Sequence, residues 1–172
     1  DLHYYALSVG LYQVKHCGSF DWMSGAVLIP SLKQSFSTVD AIELSNISRM
    51  SEVGLENSVI ASCFSSFEND SFKRERHYEL FGRLNDASRG CLRLGSAAVQ
   101  ICYTAQGKIQ ATYGIGCKIW DVAGAMAIAS KVGCTIYAKH IKGTNRLNFI
   151  VGRKLASQQV KDLIEEMDLC EF

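Results

Sequence analysis

The residues best suited to chemistry sit at two predicted helix starts. One acid, Asp121, stands in the run Lys118-Ile119-Trp120-Asp121-Val122-Ala123-Gly124-Ala125. The small apolar residues after it, stopped by Gly133, predict a helix over 121–132. A carboxylate there has two uses. It caps free N–H groups, a contribution of about 1 kcal/mol, or it holds a hard cation such as Mg²⁺, which takes oxygen ligands. The second start is Gly95-Ser96-Ala97-Ala98. Free N–H groups and the positive end of the helix dipole favour a phosphate or another anion there. Gly95 and the alanines let a ligand approach the backbone closely. The plainer reading is that Ser96 is an ordinary N-cap and the alanines pack tightly.

Other chemistries find little support. His3, His16, His77 and His140 are isolated, with no HxxH or HExxH spacing, so they read as surface or satisfied histidines. Cys102 and Cys117 have no neighbouring His or cationic cluster to make them nucleophiles. No G-x-S-x-G elbow occurs, which argues against a serine hydrolase. Seven cysteines are scattered without a CxxC pair. That spacing argues against a disulfide framework or zinc site and fits a reducing, cytoplasmic setting.

The elements that must position these residues divide the chain into two styles. The first half reads as β-rich. Residues 4–14 and 21–32 predict strands joined by a short Gly-containing gap, hence an antiparallel hairpin. Residues 35–40 predict a third short strand, 41–58 a loop or edge, and 58–64 a buried strand. The second half alternates. Helices are expected over 70–85, 96–107, 121–132 and 155–167, with Asp70 or Ser71 and Ser96 as caps. The segment Arg89–Gly95 reads as extended, and 108–114 as a strand by its alternation. Strands follow at 134–138 and 147–152. Strands first and alternation later point to an α/β or α+β layered fold.

The totals exclude some partners. The chain has 172 residues, 48% hydrophobic and 20% charged, which suits one domain with a real core. A formal net charge of +1 gives no electrostatic case for nucleic acid or an anionic membrane. No apolar run is long enough to span a bilayer, and residues 1–12 lack the pattern of a signal peptide.

Residues 94–137 together resemble the inositol monophosphatase family. The resemblance rests on GSAA, a helix ending in A-x-G, a strand, and G-x-x-x-WDVAGA followed by a helix ending near Gly. The flanking hairpin and the closing strand and helix fit as well, so nearly the whole chain resembles the C-terminal portion of that family. The resemblance implies the C-terminal part of an alternating αβαβα sandwich. It also implies a Mg²⁺-dependent, lithium-sensitive phosphatase acting on small phosphate monoesters such as inositol, nucleotide or sugar phosphates. Asp121 matches the family's WD metal ligand. Gly95, Ser96 and Ala97 match the helix start that contacts phosphate or substrate. A homodimer is the family's common assembly.

Three departures accompany the resemblance. The upstream metal ligands, a Glu-Glu segment and a D-P-x-D-G-T loop, have no counterpart in residues 1–172. Gly114 stands where inositol-specific members carry a glutamate that meets sugar hydroxyls, which counts against inositol as substrate. Leu92, with Arg93 beside it, stands where many members have arginine. One carboxylate makes a poorly oriented Mg²⁺ site, so residues 1–172 alone are expected to be inactive. Three readings follow: the C-terminal part of a longer phosphatase, a degenerate binding or scaffold module, or one piece of a split enzyme. The missing initial Met and the abrupt entry into an apolar strand favour the first. The first hairpin is then expected to expose unpaired backbone or to find a partner.

Overall fold

The computed structural model of the protein describes residues 5–15, 17–39, 52–64 and 70–172. His3, His16, the end of the predicted third strand at Asp40 and most of the loop at 41–58 lie outside the described residues. In chain order the elements are β1 (Leu7–Val14), β2 (Phe20–Ile29), β3 (Gln34–Ser37), β4 (Val59–Cys63), α1 (Ser71–Ala87), β5 (Gly90–Leu92), α2 (Ala97–Ala105), β6 (Ala111–Lys118), α3 (Ile119–Lys131), β7 (Thr135–Ile141), β8 (Arg146–Gly152) and α4 (Lys154–Glu166).

Two sheets form. The first has the order β1-β2-β3 and is antiparallel, with Val9 opposite Ala26 and Val27 opposite Phe36. The second has the order β5-β4-β6-β8-β7. There β4 pairs parallel with β5 and β6, while β8 pairs antiparallel with β6 and β7. Helices α2 and α3 fill the space between the sheets. Val27, Ile29 and Phe36 from the first sheet meet Val99, Ile101, Val122, Met126, Leu147 and Phe149 there. On the far side of the second sheet, α1 and α4 cover Ile60, Tyr113 and Ile150 with Leu80, Leu84, Val160 and Ile164. The layers therefore run sheet, helices, sheet, helices.

The first sheet keeps one face open among the described residues. Leu7, Val9 and Leu11 point away from α3 and are 61%, 75% and 58% exposed. Leu28, opposite Leu7, joins them. Strand β1 is also the sheet's edge and carries no charged residue over Leu7–Val14. The edge expected from the sequence is thus present, with an apolar face beside it.

Of the expected boundaries that shift, two bear on the site. The strand expected at 108–114 begins at Ala111 and runs to Lys118. Residues 106–109 are instead used to close α2: Lys108 and Ile109 both donate their N–H to the Tyr103 carbonyl, and Gly107 turns the chain with φ +75°. The helix expected at 121–132 begins two residues earlier, with Lys118 at its N-cap. Ile119 is buried and draws the first turn onto the core. Asp121 is therefore not the cap; it is the third residue of the helix.

Candidate functional site

The end of β4, the start of α2, the end of β6 and the first turn of α3 converge on a cavity of about 730 Å³. Its wall includes Gly95, Ser96, Ala97 and Asp121, so four of the five residues singled out in the sequence face one space. Leu7 and Ser8 of β1 close one side, which joins the cavity to the open apolar face.

The start of α2 is built by hydrogen bonds. Gly95 takes φ +82°, a left-handed conformation that favours glycine. Ser96 is the N-cap, with its Oγ accepting from the Val99 N–H at 3.5 Å. Gln100, fully buried, ties this corner to β4. Its Oε1 accepts from Leu94 N–H at 2.7 Å. Its Nε2 donates to the Ser62 carbonyl at 3.2 Å and to the Cys63 sulfur. The sequence reading missed Gln100, because its role is long-range: it lies 38 positions from Ser62, to which it donates. A nearby cation is fixed too. Arg93 Nη2 donates to the Phe64 carbonyl at 2.8 Å, and its guanidinium lies 4.4 Å from the Phe64 ring centre.

Asp121 is exposed at the cavity wall, in the first turn of α3. A negative charge there is favoured by the helix dipole. Beside it, the Cys117 thiol is pushed up to about 12, first by burial and then by the Asp121 charge, with Arg146 acting in the opposite sense. Cys117 is thus a neutral thiol at physiological pH, and its Sγ donates to the Cys63 carbonyl at 3.4 Å. Burial also holds the Cys63 thiol well above its ordinary range. Neither is an activated nucleophile.

Gly114 lies elsewhere. It sits in β6 opposite Cys63 and Phe149 and is buried. A Cβ there would come 2.2 Å from Phe149 Cε1 and 2.8 Å from Cys117 Sγ. It is a packing glycine, and a glutamate has no room at that position unless Phe149 moves.

The charge on the wall decides what the cavity accepts. Asp121 is the one carboxylate among the described residues that line it, against Arg93, Lys118 and Arg146. Among the described residues no group of three or more His, Cys, Asp or Glu side chains is placed to hold a metal. Mg²⁺ needs near-octahedral oxygen ligation, usually with more than one carboxylate or a substrate phosphate. The described residues alone do not fit that ion. They suit an anion better: the start of α2 opens on a cavity whose wall also carries Arg93, Lys118 and Arg146.

The fold is layered, sheet, helices, sheet, helices, and two helix starts meet at one cavity. Residues 2–166 match the inositol monophosphatase family. The chain belongs to that family. Inositol-1-monophosphatase SuhB of Mycobacterium tuberculosis (strain ATCC 25618 / H37Rv) is 35% identical over 63 residues, covering 37% of this chain and 22% of that protein. The structure of Mycobacterium tuberculosis SuhB superposes with a TM-score of 0.69 at 19% identity, over 98% of this chain and 66% of that one. SaIMPase-II with 2′AMP bound superposes with a TM-score of 0.65 at 20% identity, over 95% of this chain and 62% of that one. The chain thus spans less than two thirds of the length of each of these proteins. The seven cysteines are all free thiols, and among the described residues no helix is long and apolar enough to cross a membrane.

Proposed function

We propose that this chain is the phosphate-holding, C-terminal part of a phosphatase that hydrolyses a small phosphate monoester. The observation that carries the reading is the meeting of Gly95-Ser96-Ala97 and Asp121 on the wall of one cavity. The N–H groups at the start of α2 bind phosphate oxygens, and Arg93, Lys118 and Arg146 offset their charge. Asp121 is the chain's own cation ligand. The hydrolysis depends on Mg²⁺ whose further carboxylate ligands come from polypeptide outside residues 1–172. The open apolar face of β1 supports this, because it runs into the cavity at Leu7 and Ser8 and gives such a segment a surface to cover. The 2′AMP named with SaIMPase-II supports a small phosphorylated ligand.

A second reading, a non-catalytic phosphate-binding module, is favoured by one observation: among the described residues that line the cavity, no second carboxylate stands beside Asp121. Calorimetric titration with inorganic phosphate, with and without Mg²⁺, tests the shared part of both readings. Residues 1–172 are expected to bind phosphate and to leave a phosphate monoester intact. Absence of phosphate binding overturns both readings. Magnesium-dependent turnover by residues 1–172, lost in Asp121→Asn, overturns the need for outside ligands.

A further inference from the structure

Strand β6 has an extra residue relative to its partner β8. Gly114 faces Phe149 and Cys117 faces Leu147, so Ile115 and Gly116 together stand opposite Asn148 alone. Such a bulge shifts the strand's alternation by one, and every side chain beyond it changes face. The packing records the shift. Regular alternation would put Tyr113, Ile115 and Cys117 on one face, yet Tyr113 and Ile115 lie in the core beside α1 and α4, and Cys117 lies in the core beside α2 and α3. Beyond the bulge, Lys118 pairs with Arg146, Ile119 donates its N–H to the Asn145 carbonyl at 3.0 Å, and α3 begins. Lys118, Trp120 and Asp121 line the first cavity, so the bulge decides what that wall presents.

Two side chains of β8 hold the bulge. Asn148 Oδ1 accepts from the Gly116 N–H at 3.0 Å, and Arg146 Nη1 donates to the Gly116 carbonyl. A backbone N–H only donates, so the Asn148 carboxamide turns its oxygen to Gly116. Its Nδ2 then donates to the Glu171 carbonyl at 3.4 Å, and Glu171 is held in turn by Lys139. Asn148 is buried, and Gly116 takes φ +65°, a left-handed conformation that favours glycine. Both polar groups of residue 116 are thus fixed by side chains. The register with β4 ends at Gly114, so from Ile115 onward β8 is what positions β6. Asn148 itself lines not the first cavity but a neighbouring one.

We propose that Asn148 is a positioning residue for the phosphate site. It touches no phosphate; it acts through the Gly116 peptide on Lys118 and on the first turn of α3, where Asp121 stands. Arg146 shares the task and adds its own charge to the cavity wall. Without the Asn148 bond the bulge loses one of its two anchors, and a shift of about 1 Å in a positioned group is enough to be costly. The inference rests on the reading of the first cavity as the phosphate site.

Calorimetric titration of the whole chain with inorganic phosphate tests it. Asn148→Leu keeps the size and removes both bonds. It is expected to weaken phosphate about tenfold, the scale of one lost hydrogen bond, with the salt dependence of binding unchanged because no charge is lost. Asn148→Asp keeps an oxygen for the Gly116 N–H, with Arg146 at hand to offset its charge, and is expected to bind phosphate more tightly than Asn148→Leu. A role through charge alone gives the opposite order, since a carboxylate repels the anion. Val151→Ala, a truncation of a fully buried residue in the same strand, is the control for lost stability. It is expected to lower the urea midpoint and to change phosphate affinity by less than about twofold. One measurement needs no variant to fold: in the parent chain, bound phosphate is expected to slow hydrogen exchange at the Gly116 N–H more than at the Val151 N–H, because coupling between ligand and clamp is reciprocal. Unchanged affinity in Asn148→Leu overturns this inference alone, as does an equal loss in Val151→Ala, weaker binding by Asn148→Asp than by Asn148→Leu, or exchange at Gly116 that phosphate does not move. A parent chain that binds no phosphate overturns the reading of the first cavity, and this inference with it.

Discussion

Gly10 of β1 and Gly124 of α3 meet backbone to backbone. A Cβ on Gly10 would lie 2.4 Å from the Gly124 nitrogen, and a Cβ on Gly124 would lie 2.5 Å from the Val9 carbonyl oxygen. Gly25 of β2 makes the same approach, 2.3 Å from the Gly124 carbonyl. The small-residue run after Asp121 is therefore a contact surface for the first sheet. It sets the depth at which α3 lies and hence where Asp121 stands.

Gly124→Ala is accordingly expected to destabilise the fold by about 1–3 kcal/mol, since backbone atoms cannot yield as a side chain can. Urea unfolding measures it. Gly82→Ala, where a Cβ meets nothing within 4 Å and the residue lies inside α1, is the control expected to be neutral or stabilising. Equal losses in both variants would remove the packing argument.

Much of this arrangement was legible in the sequence, and the misses share a cause. The hairpin, Asp70 as the cap of α1 and Ser96 as the cap of α2 follow from local patterns. The sequence places Asp121 at the helix start, and the structure puts it at the third position of the first turn, because burial of Ile119 overrides the local cap signal. Gly114 was grouped with the substrate residues by resemblance, but its neighbours are Phe149 and Cys117, set by strand pairing. Gln100 depends on contacts between distant segments, and nothing in local spacing announces it.

The two polar residues at the α2 corner should differ in cost. Ser96→Ala removes a cap bond and is expected to destabilise by about 1 kcal/mol. Gln100→Ala leaves the half-buried Leu94 N–H and the buried Ser62 carbonyl each short of a partner, and a loss of about 1–3 kcal/mol is expected. Both variants should weaken inorganic phosphate binding. Thermal unfolding ranks the two; a larger loss for Ser96→Ala would mean that Gln100 does not organise the corner.

The thiols predict a pH dependence. Burial pushes Cys91, Cys102, Cys117, Cys134 and Cys170 up to about 12, and Cys63 well up. The unfolded chain gives up these protons near its ordinary value of 9.0, while the folded chain keeps them. Above pH 9 the unfolded state therefore binds fewer protons, and stability falls as pH rises from about 9 towards about 12. Below that window the contribution is fully present. Denaturant midpoints from pH 7 to 11 measure the fall. In the native protein at pH 8, a thiol reagent is expected to modify Cys17 first, since it is exposed and its thiol is lowered by the hydrogen bond from Ser19. Rapid modification of Cys63 or Cys117 would contradict their raised, neutral thiols.

Ligand entry has a built-in optical reporter. Trp120 is 56% exposed on the cavity wall, with Lys118 Nζ 5.5 Å from its ring centre. The other tryptophan, Trp22, is stacked on Phe20 at 4.6 Å, among the aromatics of the hairpin. A phosphate in the cavity draws the Lys118 ammonium towards itself and away from the indole, because a dianion attracts it more strongly than a ring face does. Indole emission should therefore change on phosphate addition. The change is expected to persist in Trp22→Phe, to vanish in Trp120→Phe, and to shrink as salt screens the exposed charges. A phosphate-dependent signal that survives in Trp120→Phe would place the anion away from the α2–α3 corner.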